Sequence, residues 1–189
     1  RKQQGKDTAC DILYNHIRNT LRYGDRNPQP IPFRRAFAEP LYEICGLLVP
    51  EFLGKKHYDL FPIEKEIPIE RIGKSPRQVL IDVGQHMKVT LGVDCFAVPI
   101  IHELKNSNAT NVFLISDLRF PVEAEALQAI GGVCVEVTRP GIEVSNDPVD
   151  DALADWEGWD YGISNDGTLE DFKKKVIDLY EEIRMANPT

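Results

Sequence analysis

Residues 111–116 read Asn-Val-Phe-Leu-Ile-Ser, a short, uninterrupted apolar run that ends against Asp117-Leu118-Arg119. A run of this length, apolar on both faces, is what a strand buried inside a parallel sheet requires. Parallel strands need long crossovers, and the rest of the chain supplies helices in the right places. Val133–Val137 and Tyr161–Ser164 read as further strands, and Ile31–Ala38 as another after the Pro-broken loop 27–30. Thr8–Leu21 carries Ile12, Leu13, Ile17 and Leu21 on one helical face. Pro40–Leu48 starts a helix on its proline. Ser75-Pro76-Arg77-Gln78 combines a capping serine, a first-turn proline and a capping-box glutamine. Val79, Leu80, Val83 and Met87 continue it as an apolar face. Pro121–Ile130 is a helix ended by Gly131-Gly132. Thr168 opens the last helix, with Leu169, Phe172, Val176, Tyr180 and Ile183 turned inward. The order predicts an α/β fold with a parallel sheet flanked by helices.

With 189 residues, one domain spanning 1–189 is expected. Residues 55–74, polar and broken by prolines, read as an excursion or arm, and 141–159 as an acidic lid-like segment. Ten acids and no Lys or Arg fall between Pro140 and Phe172, so the net charge of −8 is local and the remainder stands at +2, from 22 basic and 20 acidic residues. An acidic total disfavours a nonspecific nucleic-acid coat but leaves room for an anionic small molecule in the basic part. No apolar run reaches the 18 residues of a membrane span, and no signal-peptide pattern is present. Cys10, Cys45, Cys95 and Cys134 form no C-x-x-C pair and sit among apolar residues, as reduced structural thiols of a cytoplasmic protein do.

Chemistry gathers first at the start of the chain, where Arg1-Lys2-Gln3-Gln4-Gly5-Lys6-Asp7-Thr8 runs directly into a helix. A phosphate-binding loop places Gly, four residues, Gly, Lys and Ser or Thr before a helix, so that backbone N–H groups and the helix dipole hold phosphate. Gly5 and Lys6 match the second half of that pattern, Asp7 stands where Ser or Thr usually meets Mg²⁺, and Thr8 comes one place later. The first glycine and its feeding strand would lie ahead of Arg1, and the natural chain is expected to continue upstream with a short apolar strand ending in Gly. A chance Gly-Lys at a ragged terminus is the competing reading of spacing alone. The second constellation is Asp117 with Arg119 at a strand's carboxyl end, where α/β proteins place ligands. A carboxylate for Mg²⁺ and an Arg for phosphate suit phosphoryl transfer; a strand-end salt bridge is the plainer alternative. The third, Ser164-Asn165-Asp166-Gly167-Thr168, is a turn and helix cap that also suits the edge of a bound nucleotide.

Taken together, Gly5-Lys6-Asp7-Thr8, Phe37-Ala38-Glu39-Pro40-Leu41, Ser75-Pro76-Arg77-Gln78 with Gly84, Asp117-Leu118-Arg119-Phe120-Pro121 with Glu123-Ala124-Glu125, Arg139-Pro140-Gly141 and Asn165-Asp166-Gly167-Thr168 resemble the bacteriophage-type deoxynucleoside monophosphate kinases. The resemblance runs along nearly the whole chain, and implies a three-layer P-loop fold that lacks its first strand here. It implies transfer of the ATP γ-phosphate, with Mg²⁺, to a deoxynucleoside 5′-monophosphate. Gly5, Lys6, Asp7 and Thr8 would hold the ATP phosphates, with Arg139, Asn165 and Gly167 on the donor-base side. Lys2, Arg77 and Arg119 would hold the acceptor phosphate. Phe96 suits stacking on the acceptor base, with packing in the core as the plainer reading. Asp7 and Asp117 would face the metal, and Lys6, Arg119 and Asp117 would carry the catalysis. The resemblance also suggests a homodimer contacting through the 55–74 arm, small nucleotides as partners rather than nucleic acid or membrane, and a cytoplasmic setting, that of the host if phage-encoded. Departures are Tyr42 in place of a common Lys and a 141–159 segment without its usual His and Ser-Glu pair. Rival readings are a phosphomevalonate kinase-like or dephospho-CoA kinase-like enzyme, and a nucleotide-binding protein without turnover. His16, His57, His86 and His102 are read as carrying no catalytic or metal role.

Overall fold

The computed structural model describes residues 4–20, 30–52, 64–141 and 152–186. The chain divides into two compact units, one of residues 1–35 with 103–189 and one of residues 36–102.

The first unit opens with α1 (Lys6–Thr20) and β1 (Ile31–Arg35), and resumes at the end of α4 (Ala97–Lys105). It continues through β2 (Asn111–Ile115), α5 (Pro121–Gln128), β3 (Val135–Thr138), β4 (Tyr161–Ser164) and α6 (Leu169–Ala186). The unit is thus mixed α/β, with parallel strand pairs as the apolar runs require. β1 pairs with β2 from Ile31↔Asn111 to Arg35↔Ile115, and β3 with β4 from Val135↔Tyr161 to Thr138↔Ser164. Phe33 and Phe113, register partners, stack at 5.5 Å between ring centroids. α1 and α6 close over the second pair: Ala9, Val137, Phe172 and Val176 form one buried cluster with Ile12, Leu13 and Ile163 against it. A cavity of about 1470 Å³ is lined by Asn111 through Ile115 and by Val133 through Val137. Successive strand residues point to opposite faces, so a space touching all five meets the strand edge-on. Among the described residues, the unpaired edges of β2 and β3 therefore border one space.

The second unit holds α2 (Glu39–Leu48) and α3 (Pro76–Leu91). Its core is Tyr42, Cys45, Phe52, Ile69 and Val79, and Tyr42 meets Phe52 edge-on at 6.0 Å. Tyr42, at 4% exposure, is a core residue here. Gly84 lets α3 approach α2: a Cβ there would stand 3.3 Å from Leu41 Cδ2.

The helix starts follow their caps. Ser75 Oγ accepts from Gln78 N at 3.3 Å, as its sequence position implies, but the Gln78 amide turns forward to Asp82 Oδ1 at 2.8 Å rather than back to complete a box. Thr168 and Asp171 make the reciprocal pair at α6, Asp171 N donating to Thr168 Oγ1 at 3.2 Å and Thr168 N to Asp171 Oδ2 at 3.0 Å. The Thr168 hydroxyl, which donates to Asp171 Oδ2 at 2.7 Å, and then the Thr168 N–H hold the Asp171 carboxyl below its usual range. β1 is shorter than Ile31–Ala38 because Ala36 and Phe37 turn, buried, into α2. Leu169, expected inward, is 64% exposed; it is the first residue of α6, and the apolar face packs from Phe172 onwards. Cys10, Cys45 and Cys134 are buried free thiols and Cys95 is half-buried. Among the described residues no helix is long and apolar enough to cross a membrane.

Lys2, residues 55–63 of the expected arm, His57 among them, and residues 142–151 of the expected lid lie outside the described residues. The far end of the lid segment is tied down: Gln128 Nε2 donates to Gly158 O at 2.8 Å and to Asp160 Oδ2 at 3.1 Å.

Candidate active site

The first unit directs polar groups from the ends of β1, β2 and β4 toward the start of one helix. Ala9 N donates to Gly5 O at 2.8 Å, so α1 begins at the Gly5–Lys6 step. The first-turn N–H groups that follow have no earlier carbonyl to bond, which makes the helix start a natural anion seat. Gly5 sits at φ +106°, where a side chain is strained. It is also enclosed: a Cβ there would stand 2.7 Å from Asn165 Nδ2 and 3.4 Å from the Phe172 ring. Asn165 Nδ2 donates to Gln4 O at 3.1 Å, and Asn165 N donates to Thr138 O at 2.7 Å, extending the β3–β4 ladder by one bond. The residue after β4 therefore fixes the backbone leading into α1.

β2 reaches the same helix from its own end. Ser116 Oγ donates to Asp7 Oδ1 at 2.5 Å. Arg34, at the end of β1, makes an ion pair with Asp11 and lies 3.9 Å from Asp7 Oδ1 through Nη2. Asp7 and Asp11 are one helical turn apart, so their like charges repel along the same face. Arg34 offsets that repulsion. The α1 start thus meets the carboxyl ends of β1, β2 and β4, the side on which parallel α/β sheets place ligands.

Asp117, next along, is buried at 6% exposure. It lies near Cys10: burial pushes that thiol up to about 12, Arg34 pulls it down, and Asp7, Asp11 and Asp117 add to the rise. Such a thiol is inert at neutral pH. Arg119 is exposed, and its backbone N–H, with that of Phe120, is accepted by Glu123 Oε2 at 2.8 and 3.1 Å, which pins the turn from β2 into α5. Arg139 follows β3 directly and is exposed; Gly167 and Thr168 lie in the turn between β4 and α6. Lys175 braces that turn through Ser164 O at 3.0 Å and Asp166 Oδ1 at 2.6 Å.

Gly5, Lys6, Asp7, Thr8, Asp117, Arg119, Arg139, Asn165 and Gly167 thus belong to one unit, at or beside strand ends and the start of α1. Arg77 and Phe96 belong to the other: Arg77 Nε donates to Glu66 Oε1, and Phe96 is buried at 7% exposure. His16 has an acid that the sequence does not reveal, Glu181 at 3.1 Å. Three residues at the α1 start escaped the sequence reading as site residues: Ser116, Arg34 and Asp11. For Ser116 a signal existed, since it precedes Asp117 at the same strand end. For the Arg34–Asp11 pair no local pattern exists.

Hard oxygen donors of the kind Mg²⁺ takes are present: the Asp7 side chain is 77% exposed and the Ser116 hydroxyl lies against it. Among the described residues no group of three or more His, Cys, Asp or Glu could hold a metal. Mg²⁺ does not require one, since one or two carboxylates and substrate phosphates suffice.

No protein-family model matches the chain. Along nearly its whole length it is similar to a protein of Acanthamoeba polyphaga mimivirus provisionally named a deoxynucleotide monophosphate kinase. The two are 27% identical over 200 residues, which covers 98% of this chain and 95% of that protein. This distant full-length likeness supports a nucleotide-kinase relationship.

Proposed function

We propose that this chain is a P-loop phosphotransferase that moves the γ-phosphate of ATP, with Mg²⁺, to a deoxynucleoside 5′-monophosphate. The observation that carries the reading is the Gly5–Lys6 step at the head of α1, joined through Asp7 to the end of β2 and through Gln4 to the end of β4. A backbone turn and a lysine at a helix start, ringed by strand-end polar groups, is what a chain of phosphates needs. The name of the mimivirus relative is a second, independent support.

In this reading Gly5, Lys6, Asp7 and Thr8 hold the donor phosphates, and Lys6 neutralises charge on the transferring group. Asp7 and Asp117 are the carboxylates that would hold Mg²⁺, which would supply positive charge to offset that of the phosphates. Arg119 clamps the acceptor phosphate with a planar fork, which Lys cannot copy. Arg139, Asn165 and Gly167 flank the donor base, and Lys2, Arg77 and Phe96 serve the acceptor. No covalent intermediate is needed, since positioning and preorganised charge supply the acceleration. A homodimer is part of the same reading.

The test is a coupled ADP-release assay against a panel of ribo- and deoxynucleoside monophosphates, with phosphomevalonate and dephospho-CoA alongside. Turnover with one or more deoxynucleoside monophosphates is expected. Turnover only with phosphomevalonate or dephospho-CoA would move the chain to another kinase class, and ATP binding without turnover on any acceptor would make it a binding protein. Arg119→Lys should fold normally and lose about tenfold in kcat/KM for the monophosphate, or about 1.4 kcal/mol. An Arg119→Lys variant with parental kinetics and a lower melting temperature would return Arg119 to a structural role.

A further inference from the structure

Phosphate-binding loops of this type hold their Mg²⁺ with a hydroxyl on the helix and a carboxylate at a strand end. Here the carriers at the two facing positions are exchanged. The residue after Lys6 is the carboxylate Asp7, and the strand-end group that touches it, at 2.5 Å, is the hydroxyl of Ser116. We propose that Ser116 is a positioning residue for the nucleotide-bound cation, acting through Asp7. The inference rests on the phosphotransferase reading above and names the part of that site which sequence reasoning left unassigned.

Three features favour this pair over a purely structural contact. Both recorded contacts of Asp7, from Ser116 and from Arg34, use Oδ1, and the side chain is 77% exposed, so Oδ2 is left toward solvent. A carboxylate has lone pairs enough to accept a hydroxyl on one oxygen and ligate a hard cation with the other. Next, the contact spans 109 residues of sequence and joins two separate elements. Losing it would free the Asp7 rotamer without unwinding α1, because the helix is also held through Gly5, Arg34 and its packed face. Finally, Asp117, the neighbour expected to meet the metal, is 6% exposed and lies near Cys10, whereas Asp7 is open. Ser116 fixes where the open carboxylate points, and a hydroxyl-to-carboxylate bond is strong enough to do so.

Thr and Val are nearly the same shape and differ in the hydroxyl, so Ser116→Thr and Ser116→Val separate the bond from the packing. The readouts are Mn²⁺ affinity in the presence of a non-hydrolysable ATP analogue, from the loss of the free-Mn²⁺ paramagnetic resonance signal, and steady-state kinetics with Mg²⁺ varied. Ser116→Thr should stay within about twofold of the parent in both. Ser116→Val should bind Mn²⁺ at least about fivefold more weakly and lose kcat, with the monophosphate KM nearly unchanged. The exchange variant Asp7→Ser with Ser116→Asp should regain at least half of the Mn²⁺ affinity lost in Asp7→Ser alone. Equal Mn²⁺ affinity and kcat in the Thr and Val variants would overturn the inference while leaving the phosphotransferase reading standing. Should the parent protein take up no Mn²⁺–nucleotide complex at all, that reading and this inference fall together.

Discussion

The two units differ in how far along the chain their polar groups reach for partners. In residues 36–102 the cations meet acids close by in sequence: Lys74 bonds Asp82 at 2.6 Å, Arg77 meets Glu66, and Arg71 lies 3.4 Å from Glu51. In the unit that carries β1–β4, local pairs such as Lys175–Asp166 are joined by polar contacts made across the chain. Ser116 reaches back 109 residues to Asp7, and Asn165 reaches back 161 residues to Gln4. Local exposed pairs cost little to form and contribute little. Remote groups meet at one helix start only because parallel strands deliver their carboxyl ends to the same side. Convergence of sequence-distant polar groups, rather than charge density, is what separates a candidate site from a decorated surface.

The largest effects should be common to both units, and they test whether each has its own close-packed core. Phe52 and Phe172 are each 1% exposed. Phe52→Ala and Phe172→Ala should each lower stability by about 3–5 kcal/mol, read from urea unfolding. A loss under about 1 kcal/mol in either would show that its surroundings are not packed to native density. The units then diverge under Lys6→Ala, which should cost about 10²–10³-fold in kcat, equivalent to about 2.7–4 kcal/mol, with the melting temperature little changed. A variant within threefold of the parent in kcat, raised only in KM, would confine Lys6 to ground-state binding.

Glycines sharpen the comparison further. Gly5 and Gly73 both have positive φ, +106° and +69°, one in each unit. A Cβ at Gly5 would collide with Asn165 Nδ2 at 2.7 Å, whereas nothing lies within 4 Å of one at Gly73. Gly73→Ala should therefore cost only the conformational strain, about 1 kcal/mol. Gly5→Ala should cost about 2–3 kcal/mol and reduce turnover as well, because the Gln4–Asn165 bond must yield. Equal melting temperatures for the two variants would mean that the Asn165 side chain moves aside freely.

What was legible in the sequence follows the same division. The apolar run before Ser116, the Ser75 cap and the Gly131-Gly132 stop are local signals, and the elements they announce stand within a few residues of their expected bounds. Tyr161–Ser164 stands at the expected residues. The Gly5-Lys6 step at the head of α1 was legible as a helix start, because a Gly-Lys step running into an apolar helical face is itself a local pattern. The bracing of Asp7 was not, since it depends on how β1 and β2 pair, and nothing near Arg34 or Ser116 encodes that register. The inward face of α6 was read three residues too early, at Leu169 rather than Phe172, because helical periodicity does not say where packing begins. The forward turn of Gln78 toward Asp82 had the same cause in miniature: two partners were in reach, and the sequence motif names only one.

The smallest effects decide whether the contrast between the units holds for every charge. Arg71 and Arg77 are both exposed and both paired within the second unit, with Glu51 and Glu66. Removing either pair should cost at most about 1 kcal/mol of stability, so a thermal melt should not tell Arg71→Ala from Arg77→Ala. Kinetics should. If Arg77 leaves Glu66 to clamp an acceptor phosphate, Arg77→Ala should raise the monophosphate KM by about tenfold while Arg71→Ala leaves it unchanged. Glu66→Ala supplies the complementary arm, for it frees Arg77 and should lower that KM or leave it as it was. Matching KM values in Arg71→Ala and Arg77→Ala would place Arg77 with the local surface pairs, and the acceptor phosphate would then have to be held by groups of the strand-bearing unit, Arg119 foremost.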